Sequence, residues 1–164
     1  MVQSGSDMHE RPHLYIDGSW VEPNGEGTIE VINPATEGVI GSVPVGSESD
    51  ANAAVEAARA AFTGWSESTI DERSNYLNLL SSALKDRGEE MAELITSEVG
   101  TPIEYSRMAM VGTPRVVSRS YAKILDGFAW EEEIRNSIVV KEPIGVVAMI
   151  TPWNFPLHQI IGKV

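Results

Sequence analysis

Apolar positions in this chain change period twice. From Leu14 to Val45 they tend to alternate with polar ones, and from Ser47 to Phe128 they recur at three and four residues. Beyond Ile138 they fall in short unbroken runs. Alternation belongs to half-buried strands and the longer spacing to amphipathic helices. Leu14-Tyr15-Ile16-Asp17-Gly18-Ser19-Trp20-Val21 sets Asp-Gly between two strand-forming triplets, which predicts a hairpin. Thr28 to Ile32 reads as a strand, Asn33-Pro34-Ala35-Thr36-Glu37-Gly38 as a turn, and Val39 to Val45 as an edge strand, because Pro44 lacks a ladder N–H.

The helical stretch is punctuated by capping signals. Ser47 with Asp50 predicts a first helix carrying Val55, Ala58, Ala61 and Phe62 on one face and ending at Gly64. Thr69 with Glu72 opens a second, with Arg73, Tyr76, Leu77, Leu80 and Leu84 on a face and Gly88 as its stop. Met91, Leu94 and Ile95 mark a third that closes at Gly100. Thr101-Pro102 and Thr113-Pro114 each read as a hydroxyl N-cap before a proline, and Glu104 completes a capping box with Thr101. The second of these helices carries Val117, Tyr121, Ile124, Leu125 and Phe128. Glu131-Glu132-Glu133 reads as a solvated face. Ile138 to Lys141 and the seven-residue run Ile144 to Ile150 follow as two strands. Strands, a helical block, then strands again is an α/β order and not a bundle.

Composition narrows the partners. The 164 residues carry 12 Lys and Arg against 24 Asp and Glu, a net charge of −12. That acidity argues against nucleic acid and anionic membrane surfaces. The absence of cysteine rules out disulfides and thiolate metal sites within these residues. No run approaches the roughly 20 apolar residues of a membrane helix. The polar lead-in, residues 1–12, lacks the apolar core of a secretion signal, so a cytoplasmic location is expected. His9 and His13 have helical metal-pair spacing, but Pro12 intervenes and no carboxylates converge, so no metal site is expected.

The chemistry concentrates near Thr151-Pro152-Trp153-Asn154-Phe155-Pro156. Two prolines fix two φ angles and bias the residues before them toward extended backbone. The loop leaves an apolar run and enters a helix near Leu157, the arrangement that forms a ligand crevice at the carboxyl end of a strand. A neutral amide such as Asn154 donates hydrogen bonds at any working pH, which suits it to an oxyanion that forms only in the transition state. The plainer reading is a capped turn, with Asn154 satisfying backbone groups and Trp153 and Phe155 simply packing. His158 is close enough to line the site, although its position at the helix start favours packing.

The octapeptide Ile150-Thr151-Pro152-Trp153-Asn154-Phe155-Pro156-Leu157 resembles the cofactor and oxyanion loop of the NAD(P)-dependent aldehyde dehydrogenase superfamily. The resemblance extends to Lys141-Glu142-Pro143-Ile144-Gly145-Val146-Val147, to Asn33-Pro34-Ala35-Thr36 and to Tyr15-Ile16-Asp17-Gly18-Ser19-Trp20, in the family's order. One departure is Glu37-Gly38, where relatives commonly have Gly then Glu. The resemblance implies that Asn154 is the amide that stabilises the thiohemiacetal oxyanion. It implies that Ile150, Thr151, Pro152 and Trp153 lie along NAD, with NADP an alternative. It also implies an aldehyde substrate, and a homodimer or homotetramer for the full-length parent.

The fold expected on that footing is an incomplete α/β unit, the N-terminal portion of the aldehyde dehydrogenase fold. It would comprise the lead-in (1–12), the first part of a Rossmann-like cofactor domain (13–135), bridging strands between subunits (136–144), and a first core strand, cofactor loop and helix start (145–164). The family's cysteine nucleophile and glutamate base have no match here, so this chain alone is expected to be inactive. The competing reading is a truncated, non-catalytic cofactor-binding or oligomerisation module. The aldehyde-facing residues are not assigned; Met108, Met110, Val111, Val117 and Tyr121 are the candidates.

Overall fold

The computed structural model describes residues 9–164. Most of the expected lead-in therefore lies outside the described residues, but its end does not. His9–Glu10 forms β1 and pairs in parallel with β5 (Val39–Pro44), His9 opposite Gly41. β4 (Thr28–Ile32) pairs antiparallel on the other side of β5. The expected edge strand is thus the middle of a three-stranded sheet. Pro44 permits this because it is the last residue of β5, where a missing N–H ends the ladder rather than breaking it.

The Asp-Gly hairpin forms as β2 (Leu14–Ile16) and β3 (Ser19–Val21). Asp17 and Gly18 both take positive φ, 52° and 72°, as the mirror-image turn of a two-residue hairpin requires. Tyr15 and Trp20 face each other across it, edge to face at 5.1 Å. In the next turn Asn33 Oδ1 accepts from the N–H groups of Ala35 and Thr36. Glu37 sits at φ 59°, the left-handed region that favours glycine, so the reversed Glu-Gly order places a side chain where backbone freedom is wanted.

The Ser47 and Thr69 capping boxes close as expected. α1 (Glu48–Ser66) starts at Ser47 and α2 (Ile70–Asp86) at Thr69. α1 passes through Gly64 without breaking, and its Val55 face remains largely exposed. A single residue, Arg87, separates α2 from α3 (Gly88–Val99), so Gly88 opens a helix rather than stopping one. Gly100 closes α3 at φ 80°, close against Pro34.

The proline pairs behave differently from expectation. Thr101 does not cap a helix; its hydroxyl bonds to Ser106, and Glu104 pairs with Arg107. α4 (Ile103–Tyr105) runs through a π-helical segment, Ser106–Val111, directly into α5 (Gly112–Gly127). Thr113-Pro114 therefore falls inside a continuous helical path, and Thr113 is not its start. Pro114 cannot return an N–H to the turn before it, and that turn is the π segment.

α2 and α5 lie antiparallel and form the broadest helical contact in the molecule. Three serines cross the seam: Ser74 Oγ donates to the Ala122 carbonyl, Ser118 Oγ to Leu77 and Ser81 Oγ to Arg115. Small side chains at Ser118 and Ala122 let the backbones approach, so the buried face includes serines that a purely apolar stripe overlooks. Beside this seam Ala92, Ile95, Met110 and Val111 form the buried core.

β6 (Glu131–Ile134) and β7 (Ser137–Val140) form a separate hairpin whose residues are exposed on both faces. The three glutamates are solvated as expected, but on a strand. The run Ile144–Ile150, expected as a core strand, takes no regular structure. A strand is held by its neighbours' hydrogen bonds, and no other strand among the described residues pairs with it. α6 (Pro156–Ile161) follows, with its proline in the first turn.

Candidate functional site

Thr151 to Phe155 link the unpaired run to α6, and the far end of this loop is firmly held. Phe155 and Leu157 pack against the core of Ala92, Ile95, Met110 and Val111. The Phe155 ring also meets Tyr105, edge to face at 6.4 Å. α6 itself packs on α5 and on the π segment. The loop is thus anchored through Phe155 and α6 while its leading residues stay outside.

Those leading residues are open to solvent. Ile150 is 94 % exposed and Trp153 76 % exposed, and Thr151, Pro152 and Asn154 are exposed as well. Neither the Asn154 amide nor the Thr151 hydroxyl has a hydrogen-bond partner among the described residues. In a turn stabilised by its asparagine the side chain would be engaged with backbone, as Asn33 is in its own turn. Asn154 instead presents two free N–H donors one residue before the half-buried anchor Phe155. The structure therefore brings Ile150, Thr151, Pro152, Trp153 and Asn154 together on one exposed, proline-braced surface.

Neighbouring charges are engaged elsewhere. Arg107, two residues past Tyr105, bonds to Glu89 and Glu104, and its guanidinium holds the Glu89 carboxyl below its ordinary range. Of the candidates for an aldehyde-facing wall, Met110 and Val111 belong to the buried core. Met108 is exposed. Tyr121 lines a different feature, an open groove of about 790 Å³ walled by aromatic residues including Phe62, Trp65 and Trp130. None of Ile150 to Pro156 lines that groove. Tyr105, the residue that touches the loop, was missed because its signal is a tertiary contact.

His158 is half-buried on α6, and its Nδ1 is buried without a partner among the described residues. His13 bonds to Glu22 at 2.8 Å. No group of three or more His, Asp or Glu that could hold a metal occurs among the described residues, and no described helix is long and apolar enough to cross a membrane.

The arrangement recurs in known proteins. The 3-succinoylsemialdehyde-pyridine dehydrogenase of a Pseudomonas species is 41% identical over 160 residues, covering 96% of this chain and 33% of the relative. Aldehyde dehydrogenase C of Pseudomonas syringae, crystallised with NAD⁺ and octanal, superposes with a TM-score of 0.90 at 36% identity over 95% of this chain and 33% of that one. An aldehyde dehydrogenase of Mycobacterium tuberculosis in complex with NAD⁺ gives a TM-score of 0.91 at 32% identity, over 96% of this chain and 34% of that one. The chain thus spans about a third of the length of the proteins it matches. Residues 20–164, from the second strand of the hairpin through the loop to α6, match the model of the aldehyde dehydrogenase family, and the chain belongs to that family.

Proposed function

We propose that this chain supplies the oxyanion donor and part of the dinucleotide surface for oxidation of an aldehyde to a carboxylic acid with NAD⁺, NADP⁺ being the alternative. The observation that carries this reading is the free amide of Asn154, exposed on a proline-braced loop whose other end is packed into the core. An oxyanion donor must be held in place before the charge develops, so that no reorganisation is spent when it forms. Phe155 and α6 supply the holding, and the adjacent prolines restrict the loop's torsions.

The exposed surface of Ile150, Thr151, Pro152 and Trp153 fits a dinucleotide: broad apolar side chains for the flat faces, and a free hydroxyl at Thr151 for a polar edge. When bound, the dinucleotide would accept hydride from the substrate carbon. Asn154 would donate its N–H groups to the substrate oxygen as negative charge gathers there. The cysteine nucleophile that the family resemblance implies is not among these 164 residues, so Asn154 would act together with groups that this sequence does not contain.

Asn154→Ala in the protein expressed from the complete natural gene tests this. Turnover, followed as NADH formation, is expected to fall roughly 100-fold or more. Near-normal turnover would refute the role.

A second reading is favoured by the β6–β7 hairpin, whose Ile138, Val139 and Val140 are exposed along with both faces of the strands. In that reading the chain acts as a non-catalytic module that binds cofactor or associates with other copies. The intact mass of the natural polypeptide separates the two. A mass well above 17.8 kDa supports the enzyme, and a mass of 17.8 kDa supports the module.

A further inference from the structure

Directly beneath Tyr105 the helical path departs from α geometry. Ser106 to Val111 form a π segment, in which each turn holds an extra residue; such segments are rare and poorly stabilised by the backbone alone. Ser106, its first residue, is completely buried. Its Oγ accepts a hydrogen bond from Thr96 Oγ1 at 2.8 Å and shares another with Thr101 Oγ1 at 2.7 Å. Thr96 lies in the last turn of α3 and Thr101 follows its left-handed cap, so these hydroxyls tie the start of the π segment to the end of α3.

The other end of the segment faces the site. Met110 and Val111 form the core with Ala92 and Ile95, and Phe155 and Leu157 pack on it. Tyr105, immediately before Ser106, meets the Phe155 ring. A contiguous path of packed groups therefore runs from the three hydroxyls, through Tyr105 and the π segment, to the residue after Asn154. Close-packed interiors transmit displacement, and the proline-braced loop offers few torsions to absorb it.

We propose that Ser106 is a positioning residue for Asn154: the Thr96–Ser106–Thr101 hydroxyl cluster sets the π segment, and through Phe155 it sets where the amide points. The inference rests on the oxyanion role of Asn154. Removing the Ser106 hydroxyl leaves Thr96 and Thr101 without their shared partner in a buried place, and the segment relaxes toward ordinary α-helix. A displacement of about 1 Å at the amide is enough to cost tenfold or more in turnover.

The test is a double-mutant cycle in the protein expressed from the complete natural gene. Ser106→Ala alone should lower turnover about tenfold. In an Asn154→Ala background it should change turnover less than about twofold, because the donor it positions is already gone. A full multiplicative loss in the double variant overturns the inference while leaving Asn154 its role. Normal turnover in Asn154→Ala alone overturns both. If Ser106→Ala does not fold, Thr101→Val removes one of the two bonds and carries the same cycle, with Thr101→Ser expected to restore turnover. Amide hydrogen exchange gives a readout independent of catalysis: Thr101→Val should speed exchange of the Gln159 amide, which bonds to the Phe155 carbonyl, and of the Gly162 amide at the end of α6, and leave α1 unchanged. Unchanged exchange in α6 would also overturn the inference.

Discussion

Two glycine-to-alanine substitutions should move stability in opposite directions. Gly25 lies between the hairpin and β4, and a Cβ built there would sit 2.0 Å from the Val45 carbonyl oxygen and 3.1 Å from the Gly46 carbonyl carbon. Both obstacles are backbone, so no side chain can rotate away, and the loop must shift by more than an ångström to restore contact distance. That shift pulls on Asn24, whose N–H reaches both carboxylate oxygens of Asp50 at 3.1 Å and whose Nδ2 donates to Asp50 Oδ1 at 2.7 Å. Asp50 in turn accepts the Ser47 N–H at 2.8 Å and closes the capping box of α1. Overpacking of this kind costs about 1 to 3 kcal/mol, and loosening the Asn24–Asp50 bonds adds to it. Gly64 is the opposite case: it lies within α1, and a Cβ there meets nothing within 4 Å. Alanine at that position removes backbone entropy from the unfolded chain and should stabilise by about 0.5 to 1 kcal/mol. Urea denaturation followed by far-ultraviolet circular dichroism measures both. A Gly25→Ala midpoint that is unchanged or raised would show that the close approach of Gly25 to Val45 is not a feature of the folded protein.

Three further outcomes follow from the same contacts. Ser118→Ala removes a fully buried hydroxyl that donates 2.7 Å to the Leu77 carbonyl, and it should cost about 1 kcal/mol in denaturation; Ser74→Ala, whose bond is 3.3 Å and only half-buried, should cost less. The Ser47 backbone N–H, opposed by burial and assisted by Asn24, holds the Asp50 carboxyl far below its ordinary 3.8. Because the folded value is depressed, the resulting stability is complete above pH 3.8 and drains away below it as the pH falls toward the folded value. Asp50→Asn should therefore flatten the acid limb of a stability–pH curve, and an unchanged limb would assign that dependence to other carboxylates. Asn154→Ala should leave the urea midpoint within about 0.5 kcal/mol of wild type, since its exposed side chain holds nothing together; a larger loss would mean the amide is structural.

Local chemistry was enough to determine the hairpin, the Ser47 and Thr69 capping boxes, the Asn33 turn and the glycine end of α3, and it placed a helix start near Leu157, one residue from where α6 begins. Each depends on residues within four positions of one another, and no distant group takes those bonds away. The stiffness of the loop was legible for the same reason: two prolines restrict its torsions whatever packs around it. Everything that depended on a distant partner had to come from the tertiary structure. β5 became central only because His9–Glu10 arrived on its open side. Ile144–Ile150, an ideal buried strand by composition, stayed irregular because no strand is there to pair with it. Thr101 gave up its expected cap because its hydroxyl bonds instead to Ser106 Oγ, which also accepts from Thr96 at the start of the π segment. Tyr105 reached the site by the same route. Sequence spacing reports which face of a helix is apolar, but a hydrogen bond across two helices or an aromatic contact fifty residues away is decided only when the elements meet.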